Sequence, residues 1–511
     1  MIVIVFARPP MQDASQHPLH PAVLPIGDFM RTLVLLICSF FSLLACAETP
    51  EPPEPEFSVR EVRAEFKELY ERLRESHYDL YARRPKADYD ALYARMRKGF
   101  DRPLTLAELQ SRFQRFVAYG RIAHARIDQA SEAYEKFRTG GGKAVPLQIR
   151  VVAGRVHVMS NLSGDPRIDV GDEWLELDGQ PMARVLATLG RHVSADNDYM
   201  MHTLFEHRFA ALLWQAWGTR TQFRAKLRKA DGRTRVVTLV ARSRAEMELE
   251  IKRQPPAFEL DWTRREARML PDHVAYLRPG PFYNSDEGAT DMWDTRAFTR
   301  FIDTAFEDFI AAGATHLLID LRDNPGGDNS FSDPMLAWFA DRPFRFASAF
   351  RIRVSRAAID SNAKRLPQSA PGTISHQLAA AYARHAPGEV FSFALPMAQP
   401  RAGKRFTGRV FMLINRHSYS NTANVAALAQ DYHFARILGE ETSDLATTYG
   451  AMEQFELSRS GTVVGFPKAR IIRASGDLSA RGVVPDVAIE TPLLQGKEDP
   501  VLQRALVLMR E

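Results

Sequence analysis

The first regular hydrophobic pattern lies between residues 57 and 128. Phe66, Leu69, Tyr70 and Leu73 fall three and four positions apart, and so do Tyr89, Leu92, Tyr93 and Met96. That spacing predicts helices with one apolar stripe each. A third helix starts after Leu104, with Thr105 as its N-cap, Glu108 three positions on, and Leu109, Phe113 and Phe116 facing inward. It ends near Tyr119-Gly120, and Arg121-Ile122-Ala123-His124-Ala125-Arg126-Ile127 follows. Past Gly140-Gly141-Gly142, which reads as a linker, the period changes to two. Segments 146–151 and 156–158 alternate as strands, and 223–227 and 236–241 flank Ala230-Asp231-Gly232 as a hairpin. Residues 196–218 are aromatic and helical in pattern, with Tyr199, Phe205, Phe209, Trp214 and Trp217.

The C-terminal half alternates strands with helices. Residues 274–277 read as a core strand. Residues 295–312 carry Phe298, Phe301, Ile302, Ala305, Phe306, Phe309 and Ile310 on one helical face, and Gly313 ends the helix. Leu317-Leu318-Ile319-Asp320-Leu321-Arg322-Asp323-Asn324-Pro325-Gly326-Gly327-Asp328 is a buried strand running into a Gly-Gly loop. Val410-Phe411-Met412-Leu413-Ile414 is a second such strand, followed by Asn415-Arg416-His417-Ser418-Tyr419-Ser420-Asn421-Thr422-Ala423-Asn424 and a helical run. This alternation predicts an α/β sandwich around a largely parallel sheet. Sites in such folds lie beyond the carboxyl ends of the strands, where the Gly-Gly loop and Ser420 both fall.

Composition narrows the picture. A chain of 511 residues has room for two or three domains. Net charge is +5, from 67 Lys+Arg against 62 Asp+Glu, and neither sign forms a long block, so no nucleic-acid partner is indicated. Cys38 and Cys46 both lie in the first tenth of the chain, so no disulfide staples the folded part. Residues 1–29 lack periodicity and read as a start-site artefact or dispensable extension. Met30-Arg31 then opens a short apolar run that has the form of a secretory signal and is too short for a transmembrane helix. Leu43-Leu44-Ala45-Cys46 resembles a bacterial lipobox, which implies cleavage before Cys46 and lipidation of its thiol. The alternatives are an uncleaved anchor or an ordinary signal cut near Ala47. A Pro- and Glu-rich tether follows to residue 56. Ala47 is not the aspartate of inner-membrane retention, so the expected location is the outer membrane, facing the periplasm.

A serine at a strand-to-helix turn has a chemical use, because unpaired helix N-terminal amides stabilise an oxyanion. On this stretch alone, helix capping by Ser420 or Thr422 is the readier explanation. The two C-terminal stretches together resemble the S41 serine peptidases: tail-specific (C-terminal processing) proteases, tricorn core proteases and retinoid-binding-protein-like repeats. Matching Gln430-Asp431 and Gly439-Glu440 to that family's pattern puts the nucleophile on Ser420, although the glutamate of its "SxxE" is Ala423 here. The resemblance implies a ClpP/crotonase-like catalytic fold. It implies oxyanion donors from the Asn421 amide and from an amide of Gly326-Gly327. Residues 168–181 resemble the strand-turn unit of a PDZ domain, with 196–218 as an insertion. The position of the tail-specific proteases' lysine base holds Leu445, and no lysine occurs between Lys404 and Lys468. The base therefore moves to His124, which matches the histidine of tricorn-like members. Their glutamate before "GVxPD" is Ser479 here. Asp477 and Glu440 are nearby in sequence, and the residue orienting His124 stays open.

The expected architecture is multi-domain α/β. It comprises 1–45 extension and signal, 46–56 tether, 57–139 helical domain, 144–245 PDZ-like domain and 257–495 S41 peptidase domain. The expected activity is cleavage of peptides or unfolded envelope proteins, without cofactor or metal. The alternatives are a non-catalytic relative binding a peptide or hydrophobic ligand, or an envelope scaffold. A histidine with its ordinary pKa of about 6.5 predicts activity rising through one ionisation near neutrality. Oligomeric state and cleavage specificity stay open.

Overall fold

The computed structural model describes residues 56–255, 260–369, 372–494 and 496–511; the signal, Cys46 and the tether up to residue 55 lie outside the described residues. The described residues belong to one compact unit. Three helices open it, Val59–Ser76, Lys86–Lys98 and Leu106–Ala118. Thr105 and Glu108 form the expected capping box on the third. Phe66, Tyr70, Tyr89, Phe113 and Phe116 pack together, and their cluster runs on into Phe455, Val464 and Phe466 of the C-terminal half. The helical segment is therefore fixed to the α/β part by shared core, which burying its apolar stripes requires.

The middle of the chain is an antiparallel sheet ordered Leu147–Val152, Arg155–Asn161, Glu173–Leu177, Gln222–Arg228 and Thr234–Val240. The segment read as an insertion is the helix Asp198–Trp217. It is no appendage: Met200, Phe205, Phe209, Leu212 and Leu213 bury with Trp174 and Val185 in the core of this module.

The α/β part centres on six strands in the order Val487–Ala488, Arg436–Gly439, Arg409–Ile414, His316–Asp320, Val274–Arg278 and Glu266–Leu270. All neighbours are parallel except the last pair. The helix Arg296–Ala311 lays Phe298, Ile302, Ala305, Phe306 and Phe309 against the sheet, the stripe its periodicity predicts. A second, antiparallel sheet of Val390–Ser392, Ala347–Arg353, Val463–Arg473 and Thr448–Glu456 has no counterpart in the sequence reading. Among the described residues no helix is long and apolar enough to cross a membrane.

Candidate active site

The site is assembled where two neighbouring parallel strands end. The His316–Asp320 strand runs into the Gly-Gly loop, and the Arg409–Ile414 strand runs into the turn before the helix Asn421–Asp431. Backbone and side-chain bonds stitch the two loops together. The Tyr419 N–H donates to the Asn324 carbonyl at 3.0 Å, Ser418 Oγ donates to the Leu321 carbonyl at 2.8 Å, and Asn415 Nδ2 donates to Asp323 Oδ1 at 2.8 Å. Behind the loop, buried Asp320 accepts from Arg322 and from Tyr276, and Arg322 reaches on to Asp499 at 2.6 Å. The Arg322 guanidinium is what holds the Asp320 carboxyl below the usual carboxylate range against the penalty of burial. Asp320 and Arg322 are thus the pedestal of the loop.

Ser420 stands in the first position of the turn with φ 55° and ψ −123°, a conformation that L side chains rarely adopt. Its side chain makes no capping bond to the helix. Capping is therefore not what this serine does, and Ser418, whose hydroxyl is committed inside the turn, is the structural serine of the pair. A non-glycine residue held in a strained backbone position is a feature of sites where the strain has a use.

Both glycines of the loop lie against backbone. A Cβ on Gly326 would stand 2.5 Å from the Tyr419 carbonyl and 2.8 Å from Ser420 Cβ, and one on Gly327 would stand 2.0 Å from the Phe282 carbonyl. The reason for glycine here is direct packing of loop on nucleophile turn, rather than room for a substrate. The N–H of Gly326 is already donated to Asn324 Oδ1 at 3.0 Å. Of the pair, Gly327 then carries the amide with no acceptor among the described residues, and the Asn421 amide stands at the helix start, close to Gly326.

His124 follows the helix Leu106–Ala118. Its ring bonds the Tyr449 backbone, and Nδ1 is buried without a partner. Burial, with the Arg126 charge added, pushes its pKa down to about 4, in place of the unperturbed value that the sequence suggests. The segment touches the nucleophile turn through Arg126, which bonds the Tyr419 phenol. Asp477 is exposed and turned to Ser479, while Glu440 pairs with Arg150 at 2.7 Å and with Arg416 at 3.3 Å. Among the described residues neither bonds to His124. Lys468 is bound up with Glu453. A second histidine sits in the turn itself. His417 places Nε2 3.0 Å from Glu206 and Nδ1 3.0 Å from His207 Nε2, so both ring nitrogens are engaged.

Sequence reasoning missed Asp444 and Asp196. Asp444 Oδ2 accepts the Ser420 N–H at 2.7 Å. Asp196 is buried too, bonded to Arg83 at 3.1 Å and to the backbone of Ala123. A lone aspartate in a loop carries no spacing signal, so nothing in the sequence marked them. Among the described residues no group of three or more His, Cys, Asp or Glu is placed to hold a metal ion.

A parallel α/β sheet with an uncapped serine on a strained strand-to-helix turn, packed against a Gly-Gly loop, has the form of a serine hydrolase. Residues 275–489 match the model of peptidase family S41, and this part of the chain is an S41 serine peptidase domain, with a peptide or protein as its class of substrate. No curated protein matches the chain. Among solved structures it is similar to mature CPAF complexed with lactacystin, at 15% identity and a TM-score of 0.56, over 84% of this chain and 94% of that one. It is also similar to a CPAF point mutant, at 15% identity and a TM-score of 0.58, over 84% and 93%. The photosystem II D1 C-terminal processing protease matches at 16% identity with a TM-score of 0.41, over 84% and 93%.

Proposed function

We propose that the chain is a serine endopeptidase in which Ser420 attacks the scissile carbonyl, His124 takes its proton, and the Asn421 and Gly327 amides hold the oxyanion. The observation that carries this reading is the Ser420 backbone, held at φ 55° with the hydroxyl left uncapped against the Gly-Gly loop. A serine hydroxyl becomes a nucleophile when a neighbouring base accepts its proton. His124 suits the role because burial keeps it neutral down to about pH 4 and leaves Nδ1 without a bond. The Tyr449 backbone holds the ring, in the place where other triads put a carboxylate. The test is a fluorophosphonate probe on the folded chain. Labelling that Ser420→Ala abolishes and His124→Ala slows at least a hundredfold supports the assignment. A folded chain that takes no label overturns Ser420 as the nucleophile and favours the second reading, a relative that binds a peptide or hydrophobic ligand without cutting it.

The lipobox adds a place of action. Cys46 carries a lipid anchor, and the substrates are peptides or unfolded proteins of the cell envelope, met at the periplasmic face of the outer membrane. One acyl chain binds a bilayer only marginally, so stable anchoring needs two or more. Cys46→Ser releases the mature chain from membranes or leaves it unprocessed. A variant that fractionates with membranes at mature length overturns the anchor.

A further inference from the structure

The turn that carries Ser420 is held from two sides. Asn415, Ser418 and Tyr419 bond it to the Gly-Gly loop. Arg416 and His417 reach instead into the antiparallel module in the middle of the chain. There Glu206, on the helix Asp198–Trp217, takes both. Its Oε1 accepts from Arg416 Nη1 at 2.9 Å and from the Val151 N–H at 3.3 Å, and its Oε2 bonds His417 Nε2 at 3.0 Å. Arg416 Nη1 also donates to the Val151 carbonyl at 3.1 Å, which adds the strand Leu147–Val152 to the junction. The Glu206 and Arg416 side chains are only 8% and 9% exposed, so little water competes for these bonds.

Resting on the reading of Ser420 as nucleophile, we propose that Glu206 is a positioning residue for the peptidase reaction: it clamps Arg416 and His417, and so fixes where the turn presents the Ser420 hydroxyl. The Ser420 backbone sits at φ 55°, and such a conformation persists only where the surroundings over-determine it. The Gly-Gly loop supplies one set of constraints, and Glu206 supplies the other. A buried carboxylate that takes a guanidinium and an imidazole at once makes a stiff joint, because charge-assisted hydrogen bonds are the strong ones. Losing it leaves buried donors without their acceptor, and the turn then repacks to satisfy them.

The chemistry of the groups settles which atom donates. A carboxylate only accepts, so His417 Nε2 carries the hydrogen that faces Glu206. In neutral His417 the Nδ1 is then the acceptor, and His207 Nε2, 3.0 Å away, donates to it. Burial works to raise the Glu206 carboxyl, yet the His417 bond and the Arg416 and Arg150 charges hold it below the usual carboxylate range, so the clamp is ionised. Glu440 flanks the junction. Its Oε2 accepts from Arg416 Nε at 3.3 Å and its Oε1 from Arg150 at 2.7 Å. Arg416 therefore keeps a counter-charge when Glu206 is removed, and what is lost is the joint hold on Arg416 and His417.

Turnover of an unstructured peptide and the rate of fluorophosphonate labelling test the clamp. Glu206→Ala is expected to lower kcat and the labelling rate on the order of a hundredfold with KM nearly unchanged, the cost of misplacing a reacting group by about 1 Å. Glu206→Gln keeps an oxygen for Arg416 and Val151 and offers an amide N–H to the other tautomer of His417. It should recover labelling to within about tenfold of wild type. Adding Arg416→Met to Glu206→Ala should slow the enzyme no further, because the two residues act as one unit. Tyr199→Phe is the control. It removes the 3.0 Å bond from Tyr199 Oη to the Glu441 carbonyl, another tie from the same helix to the α/β part, keeps the ring against Arg416, and should label at the wild-type rate. A folded Glu206→Ala chain that loses less than about tenfold in labelling overturns the proposal. So do losses that multiply in the double variant, a Glu206→Gln chain no faster than Glu206→Ala, or a Tyr199→Phe chain as slow as either. If Glu206→Ala does not fold, His417→Phe decides, since it leaves the Glu206–Arg416 pair intact: a loss of about tenfold or more supports the clamp, and a smaller one overturns it. Failure of the underlying reading is distinct, because then the wild-type chain takes no label at Ser420, or Ser420→Ala keeps its turnover, whatever happens at Glu206.

Discussion

Replacing Ser420 by glycine and by alanine separates strain from chemistry. Both variants lack the hydroxyl and are expected to be inactive. They differ in the backbone, because alanine must still be held at φ 55° and ψ −123° while glycine reaches that region freely. Strain of this kind is worth about 1–3 kcal/mol. Against that, glycine has more unfolded-state entropy to lose, a disadvantage of about 0.4–1 kcal/mol relative to alanine. The balance puts Ser420→Gly above Ser420→Ala by up to about 2.6 kcal/mol in stability, with a centre of about 1.3 kcal/mol, the reverse of the usual order. Urea unfolding of the two inactive variants measures it, read as a shift in midpoint at constant slope. Ala94→Gly, at an exposed position inside the helix Lys86–Lys98, is the control and should lose about 1 kcal/mol. If Ser420→Ala equals or exceeds Ser420→Gly while the control behaves, the turn is unstrained and the argument from its backbone to a nucleophile fails.

Three further outcomes follow from the same geometry. Gly326→Ala brings a Cβ to 2.5 Å from the Tyr419 carbonyl, so the turn must shift and turnover should fall about a hundredfold; an unchanged kcat means the loop and turn are not in register. The acid limb of kcat/KM should lie near pH 4, because activity needs neutral His124 and burial lowers its pKa, so the neutral form persists to lower pH; a midpoint at 6.5 removes His124 as the buried base. Arg322→Leu strips buried Asp320 of its main partner and should destabilise the fold by about 3–5 kcal/mol in urea; a loss under about 1 kcal/mol shows that Tyr276 and Arg278 suffice to hold it.

Several features are legible in the chain because they are local. The stripe of Phe298, Ile302, Phe306 and Phe309 is a period written in consecutive residues, and the helix forms where the period says. The order strand, Gly-Gly loop, strand, serine, helix sets the α/β class and puts both loops at strand ends. The Thr105–Glu108 box needs only a spacing of three. Other features are decided by the tertiary structure, since they depend on which distant groups share a buried volume. The aromatic segment 196–218 has the look of an insertion until Met200 and Phe205 are seen inside the module's core. Gly326 and Gly327 are equivalent as letters, and only the bond from Gly326 to Asn324 separates their amides. His124 has an ordinary imidazole in sequence and a depressed one in the fold, because desolvation belongs to the place and not to the residue. Asp196 and Asp444 are two unremarked aspartates on separate segments. The bond from the Ser420 N–H to Asp444 and the bond from Arg83 to Asp196 join segments far apart in the chain, and no local pattern encodes that.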